Sequence, residues 1–414
     1  MRIIVQKFGG TSVADLECMQ QVRQRVLDKL SEDEEVKLVV VLSAMAGETN
    51  RLIKMASTWS KRPDPAETDV LVSTGEQVSV SLFTILLKDA GIRARSLLGF
   101  QAGIATDCRF GRARITGIDK NRISALLEDN DVLVVAGFQG CDDSLRITTL
   151  GRGGSDTSAV AIAVAAGAEV CEIYTDVDGV YTTDPNISSK ARRITRISYD
   201  EMLEMASMGA KVLQIRSVEF AKKYRIPVHV RSTFTDGPGT LVTQEDETME
   251  AVLVSGIAYD KDQARITVVR VVDRPGIAAA LFGPLAAAGI VVDMIIQNIS
   301  RDGFTDMTFS VPRGDLEQTL EIIEGLKGEL GCTEILHDLH VAKISVIGVG
   351  MRSHSGVASK MFAALSRENI NIIMISTSEI KVTCLIEEKY TELAVRSLHD
   401  AFELDKEPEQ AATR

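Results

Sequence analysis

An internal repeat in the C-terminal part of the chain limits the available folds more than any other feature. The segment from Ile266, ITVVRVVDRPGIAAALFGPLAAAGIVVDMI, is similar to the segment from Ile344, ISVIGVGMRSHSGVASKMFAALSRENINIIMI. Ile266 aligns with Ile344 and Gly276 with Gly356, once a short insertion is placed in the loop between them. Each copy has the pattern strand, loop ending in glycine, helix, strand, strand, helix. This pattern predicts two small ferredoxin-like βαββαβ units.

The second copy lacks its last strand. After a helix predicted near residues 391–402, only the polar tail DKEPEQAATR remains, and we expect the tail at 405–414 to be flexible. The apolar segment from residue 251, AVLVSGIAY, has no place in the first copy. We therefore predict that it completes the second sheet and interlocks the copies. One unit then spans residues 265–341, and the other spans 251–260 together with 342–404.

The N-terminal part of the chain, 1–245, alternates apolar runs with amphipathic stretches, a pattern typical of parallel strands joined by crossover helices. The pattern predicts an α/β fold, a three-layer α/β/α sandwich. A polar turn, DGPG from Asp236, and a charged connector, QEDE from Gln244, place the domain boundary near residue 245. The predicted strands are 3–7, 37–42, 95–98, 132–137 and 169–175, and the predicted helices are 12–30, 68–90, 118–129 and 155–166.

Charge and residue usage exclude several classes of function. The 46 basic and 58 acidic residues give a net charge of −12, which argues against binding to duplex nucleic acid or an anionic membrane. Six cysteines without a CxxC pair favour neither a zinc site nor a disulfide framework, and we expect all six to be packing residues. No histidine precedes His229, so a Ser-His-Asp or Cys-His mechanism cannot be built from the N-terminal region alone.

The sequence shows no targeting or membrane segment. MRIIVQKFGG leads directly into a strand-like run without a signal-peptide pattern. The longest uncharged apolar stretch, residues 277–292, is shorter than the roughly 20 residues of a membrane span. We predict a cytoplasmic protein.

The strongest local signal is KFGGTS at residues 7–12, between the first strand and the first helix. Adjacent glycines let main-chain amides approach an anion, and Lys7 supplies a mobile charge, so this segment is suited to bind phosphate. It is not a Walker A loop, because the lysine precedes the glycines. An ordinary Gly-Gly turn with Ser12 as the helix cap remains the alternative.

Two further segments carry polar groups at strand or helix ends. GRGGSDT at residues 151–157 opens a helix, and Arg152 together with main-chain amides could hold a carboxylate or phosphate. The alternative is that Ser155 or Asp156 only caps the helix. YTDVDGVYTTDP from Tyr174 follows a strand, where a nucleotide or its magnesium ion would bind. A plain Asp-Gly turn is the alternative there, and a calcium loop lacks the required glutamate.

Together these segments resemble the aspartate kinases. The similarity rests on KFGGTS, SAMAGETN from Ser43, STGEQVS from Ser73, GRGGSDTSA and YTDVDGVYTTDP. The repeat resembles the paired ACT domains that follow the amino-acid-kinase domain in this family. The resemblance implies ATP-dependent phosphorylation of the L-aspartate side-chain carboxylate to 4-phospho-L-aspartate. It also implies feedback by end-product amino acids of lysine, threonine, methionine and diaminopimelate synthesis.

The resemblance also implies the roles of individual residues. ATP and Mg²⁺ are expected, with Mg²⁺ held by phosphates and water and no protein metal ligand. The expected catalytic residues are Lys7, Gly9, Gly10 and Asp156, and the expected aspartate-binding residues are Ser43, Thr49, Glu76, Arg152 and Ser155. The expected nucleotide-binding residues are Lys7, Phe8, Gly9, Gly10, Thr175, Asp176, Tyr181 and Lys211. An ionised carboxylate is already a nucleophile, which agrees with a catalytic region that lacks histidine.

In the first repeat copy, a free amino acid could bind where DRPGI opens a helix beside the strand residues VVDM. The alternative is an N-cap aspartate beside core aliphatic residues. The loop of the second copy, MRSHSG from Met351, lacks the acidic residue, so we expect the copies to differ in ligand. The candidate effector residues are Asp273, Gly276, Ile277, Ala278, Asp293, Gln297 and Asn298.

The sequence also bears on the partners of the chain and on alternative functions. The resemblance favours a homo-oligomer, or a complex with a regulatory subunit started internally at Met249. A non-catalytic amino-acid and nucleotide sensor, and a kinase of glutamate or N-acetylglutamate, stay open as alternatives. The identity of the inhibitory amino acid, lysine, threonine or another end product, also stays open.

Overall fold

The computed structural model describes residues 2–209, 212–246, 249, 252–298 and 302–407. The chain forms two compact units. The first comprises Met1–Tyr181, Arg193–Ser207 and Lys211–Glu250, and the second comprises Thr182–Arg192, Met208–Ala210 and Ala251–Arg414.

The first unit contains twelve described strands and seven described helices. The strands are β1 Arg2–Phe8, β2 Val36–Leu42, β3 Ala94–Leu97, β4 Ile104–Thr106, β5 Ile115–Ile118, β6 Val132–Ala136, β7 Gln139–Cys141, β8 Ile147–Thr149, β9 Val170–Thr175, β10 Arg196–Ser198, β11 Val228–Ser232 and β12 Thr240–Thr243. The helices are α1 Leu16–Glu32, α2 Glu48–Trp59, α3 Pro65–Asp89, α4 Lys120–Asp129, α5 Gly154–Ala166, α6 Tyr199–Ser207 and α7 Ile215–Tyr224.

An eight-stranded sheet forms the centre of the first unit, in the order β10-β12-β11-β9-β1-β2-β6-β3. Its central strands are parallel. Alternate β1 residues Ile4 and Phe8 join a core with residues of α1 and α3, whereas Lys7 faces α5. Helices therefore cover both faces, and the predicted three-layer sandwich is confirmed. The carboxyl ends of neighbouring parallel strands meet at one edge, where the KFGG loop after β1 lies.

The predicted strands and helices are present with ends shifted by a few residues. The pattern missed helix α2 and a second sheet, in the order β5-β4-β7-β8. Strands of three or four residues are too short to produce a recognisable alternation. This second sheet carries the chain from β8 into the GRGG loop, so it positions part of the site described below.

The second unit contains one six-stranded sheet, in the order β14-β15-β13-β16-β18-β17. The described pairings in this sheet are antiparallel. Its strands are β13 Gly256–Val272, β14 Ile295–Gln297, β15 Phe304–Val311, β16 Glu334–Ile347, β17 Met374–Thr377 and β18 Lys381–Glu387. Its described helices are α8 Ile277–Ala287, α9 Leu316–Leu330, α10 Val357–Arg367 and α11 Thr391–Ala401.

The long strands β13 and β16 join the two repeat copies. Residues 256–260 of β13 pair with residues 343–347 of β16, and β16 continues to β18. The predicted pairing of the extra strand with the second copy is thus confirmed for these residues. The bounds 265–341, 251–260 and 342–404 stay predictions, and residues 251 and 408–414 lie outside the described residues.

Equivalent positions of the repeat build separate cores. Ile266 and Leu281 lie in one core, and their repeat counterparts Ile344 and Met361 lie in the other. Gly276 and Gly356 precede equivalent helices with φ values of 90° and 99°. Positive φ is accessible to glycine at low cost, which explains why both copies have glycine at this turn.

The segment Thr182–Arg192 belongs to the second unit, although the predicted catalytic domain ran without interruption to residue 245. Thr182 Oγ1 lies 2.9 Å from Nε2 of the buried His399. Tyr259 donates its hydroxyl to Asp184 at 2.9 Å. These bonds join residues far apart in sequence, so local patterns contain no signal for them.

Two further expectations can be compared with the structure. All six cysteines are free thiols, and Cys171, Cys332 and Cys384 are buried as expected. Cys108 is exposed, so the packing prediction is wrong for this residue. Helix α3 is long and apolar enough to cross a membrane by length and composition alone, but half of its apolar window is buried, as in a core helix.

Candidate active site

A cavity of about 430 Å³ lies in the first unit, where loops following β1 and β2 meet the start of α5. Its wall comes from three glycine-rich or polar segments, at 7–10, 43–50 and 151–156, together with two single residues and the buried Glu76 of α3. It brings together eight of the residues expected to carry function: Lys7, Gly10, Ser43, Thr49, Glu76, Arg152, Ser155 and Asp156. Further lining residues, including Asn50, Phe138 and Gln214, were not predicted.

An ion pair connects the end of β1 to the first turn of α5. Lys7 Nζ lies 2.7 Å from Asp156 Oδ1, and the two side chains are only 11% and 9% exposed. The first turn of α5 has no side-chain capping bond, so Asp156 is paired with Lys7 and does not cap the helix. A lysine beside a helix N-terminus concentrates positive charge in the cavity.

The KFGG turn approaches its neighbours closely. A Cβ at Gly10 would lie 2.9 Å from the Ala44 carbonyl oxygen, so a larger residue would displace the loop after β2. A Cβ at Gly9 would lie 3.5 Å from Lys7 Nζ. Ser12 bonds the Thr233 hydroxyl at 2.7 Å and makes no capping bond, contrary to the simple-turn alternative.

Glu76 supplies a second buried charge. Its Oε1 accepts a hydrogen bond from the Ala44 amide at 3.1 Å, while Oε2 has no partner among the described residues. Burial raises the pKa of Glu76 to about 7, against the opposing effect of the Ala44 bond. A buried carboxylate oxygen without a partner is costly unless a ligand supplies a donor or a cation. The cavity therefore favours a ligand with a positively charged group.

The GRGG loop leads into α5 with two residues in left-handed backbone conformations. Gly151 and Gly153 have φ values of 78° and 69°. A Cβ at Gly153 would lie 1.7 Å from Gln214 Cγ. The Arg152 side chain is exposed, and the structure gives it no ion pair with any described residue. It is free to contact an anionic group in the cavity.

Two residues missed by the sequence analysis position this loop. The buried Asp69 accepts bonds from the Gly111 amide at 2.9 Å and from the Thr149 amide and hydroxyl, both at 2.7 Å. Arg216 donates to the Leu150 carbonyl at 2.7 Å. Asp69 lies two helical turns before Glu76 on α3, and both are buried on the same face of the helix. This spacing could have indicated from the sequence that Asp69 contributes to the site.

Of the expected nucleotide-binding residues, Lys7 and Gly10 line this cavity, whereas Thr175, Asp176 and Tyr181 lie outside its lining. Thr175 donates its hydroxyl to Asp176 at 3.0 Å. Tyr181 donates to Asp178 at 2.7 Å, and burial together with this bond raises the Tyr181 pKa. Lys211 lies outside the described residues.

The prediction for Phe8 needs a correction. Its side chain is fully buried and stacks on Tyr174, with 4.6 Å between ring centroids. Alternation along β1 turns Phe8 away from the face that carries Lys7. Contact with a nucleotide is thus limited to its main chain.

The candidate effector residues of the second unit are distributed around the start of α8 and along β14. Asp273 and Ala278 are exposed, whereas the Ile277 side chain is buried in a core. Gln297 is exposed on β14, and the Asn298 carbonyl accepts the Thr305 hydroxyl at 2.5 Å.

Asp293 already has a partner in the second unit. Its carboxylate pairs with Lys343, whose side chain is 2% exposed while that of Asp293 is 51% exposed. Burial lowers the Lys343 pKa against the effect of this pair. An effector ammonium would therefore compete with Lys343 for Asp293.

No group of three or more His, Cys, Asp or Glu side chains is placed to hold a metal ion within the described ranges. The carboxylate of Asp156, which lines the same cavity, is paired with Lys7.

Comparison with known proteins defines the class first. The model of the amino acid kinase family matches residues 2–232, and two ACT-domain models match residues 265–328 and 344–402. The first unit is an amino acid kinase domain with its cavity at the expected edge of the sheet.

The chain belongs to the aspartate kinase family. It is similar to an aspartate kinase of Stutzerimonas stutzeri, with 55% identity over 98% of both chains. It is 52% identical to an aspartokinase of Helicobacter pylori over 98% of this chain and all of that one. It also resembles the crystal structure of E. coli aspartokinase III with aspartate and ADP, with a TM-score of 0.79 and 30% identity, covering 97% of this chain and 99% of that one.

Gly153→Ala should lower kcat/KM strongly while the protein stays folded. The new methyl group overlaps the Gln214 side chain, which lines the cavity, so either that side chain or the GRGG loop must move. We expect kcat/KM of the kinase reaction to fall at least about tenfold, because misplacing catalytic groups by an ångström is costly. Steady-state kinetics and thermal unfolding of both proteins provide the measurement.

Gly167→Ala is the matched control. Gly167 also has a positive φ, 63°, but no atom lies within 4 Å of a Cβ there. Both variants should lose about 1 kcal/mol of stability from left-handed strain, and Gly153→Ala should lose more because its methyl group also overlaps Gln214. Equal losses of kcat/KM in the two variants would contradict the proposed role of the loop geometry.

Proposed function

We propose that the cavity binds L-aspartate and that the chain transfers the γ-phosphoryl group of ATP to its side-chain carboxylate, forming 4-phospho-L-aspartate and ADP. The observation that carries the proposal is the buried Glu76 Oε2, which has no partner among the described residues and lines the same cavity as the Lys7–Asp156 pair. An amino-acid ammonium group supplies the missing partner. N-acetylglutamate has no such charge, so this feature favours a substrate with a free amine.

The reaction needs positioning and charge neutralisation more than acid–base chemistry. The substrate carboxylate is ionised near neutral pH and attacks phosphorus directly, with ADP as the leaving group. Lys7 neutralises the charge that develops on the transferred group, supported by the amides of Gly9 and Gly10 and the positive end of α5. Asp156 holds the Lys7 ammonium in place.

The remaining residues that line the cavity orient the substrate. Glu76 binds the ammonium group, and Arg152 binds a carboxylate in the paired geometry that guanidinium favours. Ser43 and Thr49 add hydrogen bonds around the substrate, and Ser155 organises the loop beside its amine. These contacts fix which carboxylate faces the nucleotide.

On the nucleotide side, we assign adenosine contacts to Thr175, Asp176 and Tyr181, with the Phe8 main chain and Lys211 completing the set. ATP is the co-substrate, and Mg²⁺ arrives on its phosphates. The ion reduces phosphate charge when bound. No protein ligand is assigned to it.

The second unit is proposed to bind end-product amino acids and so to regulate this first step of lysine, threonine and methionine synthesis. Asp273 and the start of α8, from Gly276 to Ala278, would bind the effector together with Asp293, Gln297 and Asn298. E. coli aspartokinase III has been crystallised with lysine and aspartate, and this chain matches that structure with a TM-score of 0.74 and 31% identity, covering 97% of this chain and 99% of that one.

Self-association through the second unit is also proposed. The end strands β14 and β17 have no further strand neighbour among the described residues, and they expose Ile295 and Ile375. Such edges pair readily between chains. A cytoplasmic homo-oligomer, or a complex with a subunit started at the buried Met249, fits these features.

Purified chain should release ADP with L-aspartate but not with L-glutamate or N-acetyl-L-glutamate. Lysine and threonine together should suppress the rate. Lys7→Ala should lower kcat by about a thousandfold or more while aspartate still binds, because Lys7 acts on the transferring group. A coupled ADP-release assay measures turnover, and calorimetry measures aspartate binding.

Lys37→Ala is the matched control for Lys7→Ala. Lys37 is also a strand lysine paired with an aspartate, Asp131, at 2.8 Å, but it does not line the cavity. Its substitution should leave kcat within about twofold of the parent. Turnover that survives Lys7→Ala, or the absence of turnover on aspartate in folded protein that binds ATP, would contradict the assignment.

The KM for aspartate should rise as the pH falls below 7. Ammonium binding needs ionised Glu76, whose pKa is about 7 in the free protein. The ionised fraction of a single group at this pKa drops about tenfold from pH 8 to pH 6, so KM should rise about tenfold. Initial rates at saturating ATP provide the profile.

Glu76→Gln should give a high KM that no longer depends on pH in this range. Glu67→Gln, an exposed position on the same helix, serves as the control and should keep the parental profile. A pH-dependent KM that persists in Glu76→Gln would show that another group titrates.

A further inference from the structure

A second cavity, of about 560 Å³, lies elsewhere in the first unit and has a strongly positive wall. Its lining residues are Arg109, Phe110, Arg112, Arg114 and Arg216, and we call it the arginine cavity. It shares no lining residue with the cavity that contains Lys7. Four arginines line this cavity in a chain whose net charge is −12.

These arginines are only partly neutralised by the protein, because Asp107 interacts with the charges of Arg109 and Arg114 alone. Asp107 approaches Arg109 only at 3.6 Å, and no carboxylate of the described residues lines the cavity. The structure gives Arg112 and Arg114 no ion pair with any described residue. Arg216 donates to the main-chain carbonyls of Leu150 and Ala113, which carry no net charge. Like charges held together in this way repel one another until an anion binds between them.

The turn that presents the arginines is held in place. The buried Asp69 accepts the Gly111 amide at 2.9 Å, and Asp107 accepts the Arg114 amide at 3.0 Å. The Ala113 amide donates to the Thr149 carbonyl at 2.8 Å. A fixed turn lowers the entropic cost of binding, because its charges need little ordering when a ligand arrives.

We propose that the arginine cavity is a binding site for a small molecule that carries a diphosphate group. Guanidinium groups bind phosphate oxygens in a bidentate manner, and several of them are needed to match the charge of linked phosphates. A single carboxylate would leave most of the positive charge uncompensated. An inorganic phosphate chain and a nucleotide both contain this diphosphate group, so either could be the ligand.

The site lies directly behind the GRGG loop. A Cβ at Gly151 would lie 3.0 Å from the Gly111 carbonyl oxygen and 3.7 Å from Arg112 Cα. Arg216 also holds the Leu150 carbonyl, immediately before the loop. An anion that draws Arg112 and Arg216 together therefore acts next to the loop that carries Arg152.

Calorimetric titration with inorganic pyrophosphate tests the site in the full chain carrying Lys7→Ala, which weakens phosphate binding in the other cavity. We expect binding near one per chain that weakens with added salt. Adding Arg112→Ala and Arg114→Ala should raise Kd at least tenfold. Both side chains are exposed, so their removal should leave thermal unfolding unchanged.

Adding Lys61→Ala and Arg62→Ala instead removes the same charge from an exposed segment elsewhere, and Kd should stay within about twofold. ADP in the same proteins identifies the source. If pyrophosphate and ADP both bind in a way that depends on Arg112 and Arg114, the natural ligand is a nucleotide. If only pyrophosphate does so, the natural ligand is an inorganic phosphate chain. Absence of binding, equal Kd after the arginine substitutions, or an equal loss in the control would overturn the proposal.

Discussion

The Lys7–Asp156 ion pair is the interaction on which the rest of the site depends. It joins the end of a central parallel strand to the first turn of α5, with both side chains almost buried. Removing one partner would leave an uncompensated buried charge, which is costly in a low-dielectric interior. The same pairing places a cation beside a helix N-terminus, where a phosphoryl group can be stabilised. Structural stability and chemistry therefore rest on one contact.

Three side chains complete the cavity by holding main-chain atoms around it in place through hydrogen bonds. Ala44 is bound by Glu76, Thr149 by Asp69 and Leu150 by Arg216. Each bond anchors a loop or a strand end to a helix, so the loops that line the cavity keep a defined shape without secondary structure of their own. Of these three side chains, Glu76 retains a buried oxygen without a described partner, which explains why it is suited to a ligand and the others to positioning.

The sequence predicted the parts of the site that depend on local order. Parallel alternation places KFGG, the loop after β1, at the carboxyl edge of the sheet. GRGG follows β8 of the second sheet, so only the resemblance assigned it to the same site. The helix face that Asp69 shares with Glu76 gave a signal, but the partners of Asp69 and Arg216 could not be assigned, because they lie 42 to 103 residues away. Phe8 was assigned by resemblance, which transfers a position but not the direction of a side chain.

In the second unit, too, the sequence predicted what depends on local patterns and missed what depends on contacts between distant residues. The repeat predicted both cores and the shared strand, because equivalent residues such as Ile266 and Ile344 carry the pattern. The inclusion of Thr182–Arg192 depends on bonds to His399 and Tyr259, which no periodicity reveals. The segment follows Tyr181 directly in the chain, so the proposed nucleotide-binding residue Tyr181 is covalently adjacent to the second unit.

The central claim is that the cavity directs the side-chain carboxylate of aspartate toward ATP. Turnover in the presence of hydroxylamine tests it most directly, because hydroxylamine converts an acyl phosphate into a hydroxamate at the carbon that carried the phosphate. Tandem mass spectrometry then distinguishes the two carboxyl positions. The account predicts the 4-hydroxamate of L-aspartate as the product. The 1-hydroxamate, or ADP release without any hydroxamate, would contradict it.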